Sequence, residues 1–386
     1  MSQPEAGGPD GAEGRNTAVA CLGQACVSFC SNFVALLTPF YVEALGRLEG
    51  RPLQPAAAVV WSGAIIAASG LTEIAGSFLW AYLAGRVSVR FLYGRGVACH
   101  AVLMAVFAYL TDVRWLLLTR LAQGFLGGVS TIGLIIVAHS PSDARAARVG
   151  LFQGALTLGQ VLGPLAAAMA GAALGFRAAF LLAAALLAAL AAAAPLALSE
   201  MPGVSGRLPD GRAAGSGQAA RGDGGMALVA SLLLVLAAGC QITFLPALLP
   251  KVVAGLGVPP SRAQVVAGAV VAVYGAAAAA GAVFFGRLAG RTPPRRLLAA
   301  TVVVASAAVL ALGRARSVTA FAIARCLQTF AVSSVFPVVA SAAAAQGGVA
   351  LGAVNAVRLL STSVGPAAAA AASAGLGGGA VYPVVG

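Results

Sequence analysis

Apolar residues fill most of the chain in long runs, and most runs end in a short turn that carries arginine. The runs predict membrane-crossing helices over about 16–45, 56–84, 91–111, 115–138, 149–175 and 177–198. A second set follows over about 226–255, 263–286, 297–313, 318–344 and 349–375. Each falls within or above the range of about 17–25 residues that crosses a bilayer as an α-helix. In the first run Gln24, Ser28, Ser31 and Asn32 recur near helical spacing, which turns one polar stripe toward an interior cavity. Eleven residues follow Gly375. They would make about 16 Å of helix, so a twelfth span is expected to be short.

The two sets repeat one another. Leu83-Ala-Gly-Arg86 returns as Leu288-Ala-Gly-Arg291, and Arg86 and Arg291 stand 205 residues apart. Arg120-Leu-Ala-Gln123 and Arg325-Cys-Leu-Gln328 keep the same offset, as do Trp61-Ser-Gly-Ala64 and Val266-Ala-Gly-Ala269. A constant offset across three helices implies two like halves in tandem. The expected organisation is an acidic, disordered tail over 1–15, a six-helix bundle over 16–198, a linker rich in Gly, Ser, Ala and Arg over 199–225, and a second bundle over 226–386.

Composition narrows the class. Only 9% of residues are charged, against about 25% in a soluble domain, and mean hydropathy is +0.93. The net charge of +13 does not point to nucleic acid, because the arginines are scattered among short loops and not gathered on one face. The six cysteines lie in apolar runs without a C-x-x-C pair, and the spacing of His100 and His139 is not that of metal ligands. No H-E-x-x-H, G-x-S-x-G or phosphate-cradling loop occurs, so neither an enzyme nor a cofactor is expected. With both termini on one side, the tail and even-numbered loops carry 13 basic residues against eight on the odd-numbered loops. That bias places the N-terminus in the cytoplasm.

Several stretches resemble the major facilitator superfamily. The loop from Ala81 to Arg90 is similar to its helix 2–3 hallmark, G-x-L-A-D-R-x-G-R-K, with Ala81, Gly85, Ser88, Val89 and Arg90 as departures. The second copy keeps Gly286 and Arg291 but has Gly290 in place of the acid. Gly150, Gly159, Gly163 and Pro164 match the antiport signature G-x8-G-x3-G-P, with Ala167 and Ala168 where glycines would follow. Leu37 to Gly46 looks like the end of helix 1 in the multidrug and tetracycline efflux branch. The resemblance implies an all-α integral membrane fold of two pseudo-symmetric six-helix bundles, nominally twelve helices, with a site between them. It also implies a monomer in the inner (cytoplasmic) membrane that exports small amphiphilic compounds or drugs in exchange for protons. A carrier of another metabolite (a sugar, a siderophore or an amino-acid derivative) and a decayed, non-transporting relative remain open alternatives.

Charges inside a membrane are costly, so each is a functional candidate. Glu73 is the acid at mid-span, and the chain has none after Asp223. It is the expected proton carrier, with Arg120 as partner and Glu43 as the next candidate. By the resemblance, Arg120 sits in the family's R-x-x-Q-G motif, assigned to proton transfer or cavity charge. Gln24, Asn32, Gln123, Gln241, Tyr274 and Arg325 are the expected cavity residues, and His100 is read as a core histidine. Gly85, Arg86, Arg90, Gly290 and Arg291 form the expected gating loops. Without the two loop acids, the resemblance implies a weakened inner gate and a shift toward the inward-open state.

Overall fold

The structure, a computed structural model, describes residues 9–48, 50, 53–201, 223–245 and 249–376. All elements among these residues are helices: α1 (Pro9–Leu48), α2 (Pro55–Ala84), α3 (Val89–Phe107), α4 (Val113–Gly127), α5 (Val129–Ala138), α6 (Ser142–Ala197), α7 (Asp223–Thr243), α8 (Leu249–Gly255), α9 (Pro260–Leu288), α10 (Pro294–Arg314), α11 (Val318–Val332), α12 (Val335–Ala344) and α13 (Gly348–Leu376). Ten helical stretches among the described residues are long and apolar enough to cross a membrane. The run expected over 226–255 is split into α7 and α8, with prolines at 246 and 250 in the sequence between and within them. Proline removes a helical donor and crowds the preceding turn. Most of the linker and the last ten residues lie outside the described residues, and with them the expected short twelfth span.

The tail departs from expectation, because α1 already begins at Pro9. Glu13 pairs with Arg148 at 2.8 Å. Asn16 Oδ1 accepts from the Ser199 backbone N–H at 2.8 Å, and the Arg15 guanidinium donates to the Ser199 hydroxyl. These contacts tie the extra turns to both ends of α6. Polar composition alone gave no sign of those partners.

Two spans are broken at matching places. Between α4 and α5, Gly128 takes φ +70°, where a methyl would strike the Trp80 ring. Trp80 Nε1 donates to the Phe125 carbonyl at 2.8 Å. Arg95 stacks 3.7 Å from the Trp80 ring and donates to Leu126 O at 2.6 Å and Gly127 O at 3.0 Å. The carbonyls freed by the break are thus answered. In the second half, α11 and α12 part at Ser333 and Ser334, the former 205 residues beyond Gly128. Within α6, which holds the spans Ser142–Gly171 and Ala173–Ala197, Gly175 takes φ +71° and kinks the helix near the start of the second.

Small residues set the helix spacing. Without a hydrophobic drive between helices in lipid, close backbone approach supplies the attraction. A methyl on Gly159 would fall on the Ala25 carbonyl, and one on Gly163 on that of Phe29, so both glycines of the antiport-like motif press α6 onto α1. Gly150 instead faces α9, where a methyl would meet Ala282 O, and Gly286 faces back, where a methyl would lie 2.6 Å from Ala146 O. At Gly290 a methyl would lie 3.1 Å from Asp143 O. Gly352 of α13 meets Ala81 of α2 in the same way, at 3.1 Å. The two bundles are therefore in contact at the face that carries the α2–α3 and α9–α10 loops. That face is closed here, and Gly290, expected to weaken it, lies where the backbones meet.

The second bundle is pinned by Arg325, which is fully buried. Its guanidinium donates to Gln241 O at 2.8 Å, to Ile242 O at 2.7 Å and to the Gln328 side chain. It lies 4.6 Å from the Tyr274 ring and 4.9 Å from that of Phe244. The carbonyls at the end of α7 find their donors in this one side chain.

Two outcomes are expected. Leucine at Gly286 needs about 8–10 Å between helix axes, so spin labels at Ser142 and Arg295 should read a longer distance in Gly286→Leu. An unchanged distribution would contradict the account of the closed face. Arg325→Leu should lower stability by about 1–3 kcal/mol for each carbonyl left without a donor. Thermal unfolding in detergent measures this, and a melting temperature equal to that of the parent would show Arg325 to be dispensable to packing.

Candidate substrate and proton site

A polar cavity of about 460 Å³ lies between the bundles, walled by α1, α2, α3, α4, α6 and α13, with Gly128 and Ser130 at the α4–α5 break. Its charged lining is Glu73, Arg120 and Arg358, with His100 beside them. A larger groove of about 1300 Å³ runs between α1, α6 and α9, but its walls are apolar apart from Asp143, Arg287 and Arg291. The chemistry is in the smaller cavity.

Helix crossings place each charge. A methyl at Gly124 would fall on the Ser69 carbonyl, and Thr72 Oγ1 donates to Leu121 O at 2.9 Å. This close crossing of α4 over α2 sets Arg120 and Glu73 beside one another. On the other side, Gly70 lets α13 approach, with Ser363 Oγ 3.5 Å from where a methyl would sit. Arg358 reaches the cavity from that helix. Glu73 is partly buried, with its open side on the cavity. Among the described residues no hydrogen bond or ion pair engages its carboxylate, although the charges of Arg358 and Arg120 act on it.

The two arginines are held differently. Arg358 donates from Nη2 to Ser130 Oγ at 2.7 Å, and from Nε and Nη2 to Asn355 Oδ1 at 3.1 and 2.8 Å. Asn355 Nδ2 in turn donates to Thr131 Oγ1 at 3.0 Å and approaches Ser77 Oγ at 3.4 Å. Ser77, Ser130 and Thr131 belong to the first bundle, while Asn355 and Arg358 belong to the second. All five are buried. The cluster bridges the bundles and floors the cavity. Arg120 has a looser hold, with Nη1 donating to Gln123 Oε1 at 2.6 Å and Nε buried without a partner. Among the described residues, Gln123 Nε2 and Gln24 Oε1 are also buried without partners. Such orphans are rare in a protein interior and leave these groups able to bond a water or a polar ligand.

The cavity brings together Glu73, Arg120, Gln123, Gln24 and Asn32, as the sequence placed them. Three other expected cavity residues do not line it. Arg325, Gln241 and Tyr274 bond and stack with one another inside the second bundle. The same R-x-x-Q spacing gives the same local bond in both copies, yet only the first faces the cavity. Glu43 sits on the surface, half exposed and paired with Arg47 at 3.4 Å, because the last turns of α1 direct it away from the cavity. His100, read as a core residue, is buried but reaches the cavity wall, where its ring fills the space a methyl on Gly127 would take. The residues expected to form the gating loops lie at the closed face, with Arg86 stacked 3.6 Å from the Tyr82 ring. Arg358, Asn355, Ser130 and Gln160 were not among the expected cavity residues. Arg358 alone carried a signal, as a charge within an apolar run.

Known proteins place this architecture. The Major Facilitator Superfamily model matches residues 20–366. The staphyloferrin B transporter of Staphylococcus aureus is 28% identical over 148 residues, which is 36% of this chain and 34% of that protein. Multidrug resistance protein MdtG of Dickeya zeae is 30% identical over 155 residues, 39% of this chain and 36% of that protein. The matched region thus spans about a third of the length of these relatives. Among solved structures, the human organic anion transporter MFSD10 (TETRAN) superposes with a TM-score of 0.79 at 20% identity, over 99% of this chain and 97% of that one. The proton:xylose symporter XylE gives 0.66 at 17% identity, over 97% and 93%. The paired bundles, the repeated arginine loops and the match along nearly the whole length agree, and the chain belongs to the Major Facilitator Superfamily.

Proposed function

We propose that the protein is a proton-coupled secondary transporter of small amphiphilic organic compounds, working by alternating access around the cavity between its bundles, with Glu73 as the proton-binding group. One observation carries this reading. Glu73 is the acid in the cavity lining, its carboxylate has no hydrogen-bond or ion-pair partner among the described residues, and two arginines flank it. A carboxyl group there can take or release a proton without breaking any bond of the fold. The arginine-rich face is the cytoplasmic one in this reading, by the charge bias of the loops, and the protein acts as a monomer in the cytoplasmic membrane.

Export in exchange for protons draws support from the glycine motif of α6, which packs one end on α9 and the rest on α1, and from the similarity to MdtG. Exchange of this kind requires a substrate that competes with the proton at Glu73. A second reading, transport of another class of metabolite, is favoured by the charge of the cavity itself. Two guanidinium groups face one carboxylate.

The test starts from compounds found by growth of a pump-deficient host on a toxic panel, and measures their accumulation in vesicles under an imposed pH gradient. Glu73→Gln keeps the shape and removes the titration. It should abolish gradient-driven accumulation, to the level of empty vesicles, and leave downhill exchange. Gradient-driven accumulation by the Gln variant would show that Glu73 is structural.

A further inference from the structure

We propose that the cavity selects compounds carrying an anionic group, a carboxylate above all, which seats between Arg120 and Arg358, and that the anion and a proton on Glu73 bind together. The inference rests on the reading of Glu73 as the proton site, and it names the substrate class and the sign of the coupling.

The charged and titratable groups facing this space are Glu73 from α2, His100 from α3, Arg120 from α4 and Arg358 from α13. The polar groups contributed by α1, α5 and α6 are neutral: Gln24, Ser28, Ser31, Asn32, Ser130 and Gln160. Arg95, one turn before His100, is engaged with the carbonyls of Leu126 and Gly127. With Glu73 ionised and His100 neutral, the lining holds one positive charge in excess. With Glu73 protonated it holds two.

The arginines also have donors to spare. Arg120 uses Nη1 on Gln123, and Arg358 uses Nε and Nη2 on Asn355 and Ser130. Among the described residues, Nη2 of Arg120 and Nη1 of Arg358 donate to nothing. Guanidinium donors without partners in a buried, polar cavity match the acceptor geometry of a carboxylate. A cationic compound would meet two like charges at close range and find a single acid, which the arginines already hold in their field.

The coupling follows from shared partners. An ionised Glu73 repels a bound anion and competes with it for the same two guanidinium groups. Once Glu73 takes a proton, its charge no longer offsets those of the two arginines, and the substrate meets their full field. Each ligand therefore favours the other, and by linkage the effect is reciprocal. A carrier that binds anion and proton together moves them in the same direction. A carrier in which the substrate displaces the proton exchanges them, and that arrangement calls for a cationic substrate in this cavity. The charge of the lining favours the first arrangement.

The experiment measures binding to the purified full-length protein in detergent, using three probes of one size that differ in charge: 1-naphthoate, 1-naphthamide and 1-naphthylmethylammonium. Naphthoate should bind about tenfold or more tightly than the other two, the scale of a charge-assisted contact. Its affinity should rise as pH falls, over the range in which the naphthoate itself stays ionised. Glu73→Gln should bind naphthoate at least as well as the parent, with that pH dependence gone. Arg120→Gln and Arg358→Gln should each lose the preference for naphthoate over naphthamide. Because Arg358 also bridges the bundles, its variant is checked by thermal unfolding, and Arg120→Gln carries the test if Arg358→Gln does not fold. Preference for the ammonium probe, equal binding of all three, or binding of none overturns the proposal. Loss of anion preference with gradient-driven transport intact sinks this inference alone. Intact anion preference, with transport indifferent to both the gradient and Glu73→Gln, sinks the proton reading alone.

Discussion

A full charge cannot sit in hydrocarbon unless something answers it, and Arg358 shows how this fold answers one. Its guanidinium is buried on α13 and donates across the boundary to Ser130, while Asn355 beside it reaches Thr131 and Ser77. Every donor in that bridge would be costly if the bundles parted without a substitute. The cluster therefore does two things at once. It holds the bundles together beneath the cavity, and it presents the remaining edge of the guanidinium to whatever the cavity contains. In the proposed alternating-access cycle, a group that binds Arg358 from the cavity acts directly on the contact between the bundles.

The rest of the closed face is made by absence of side chains. Gly150 and Gly286 let α6 and α9 touch backbone to backbone, and Gly352 does the same for α13 against α2. Contacts of this kind are short-ranged and carry little charge, so they separate without stranding an ion. The buried bridge is strong and specific, whereas the glycine seams are close and easily parted. That division of labour fits the proposed alternating access, in which the halves come apart and meet again.

Much of this was legible in the sequence, for a physical reason. Lipid demands long apolar runs, so the spans and their repeat stand out, and a charge inside such a run stands out further. Glu73 and Arg120 were found that way. What the sequence hides is the partner. Arg325 reads like a copy of Arg120, but α7 ends beside it, and the Gln241 and Ile242 carbonyls hold it in the core. Asn355 and Ser130 look like ordinary small polar residues until two halves more than 200 positions apart are brought together. Glu13 and Arg15 looked like a solvated tail because Arg148 and Ser199 are distant in sequence. Periodicity reports which way a residue faces within its own helix, and it is silent about the helix that meets it.

Infrared difference spectroscopy on a pH change is the most direct test of the central claim, that Glu73 is the group in this cavity that takes the proton. The carbonyl stretch of a protonated carboxyl group, in a region clear of the amide bands, reports a single side chain. The account predicts such a band in the parent protein as pH is lowered, absent in Glu73→Gln and altered in midpoint when Arg120 is replaced by Gln. A band that persists unchanged in Glu73→Gln would assign the proton to another group and contradict the account.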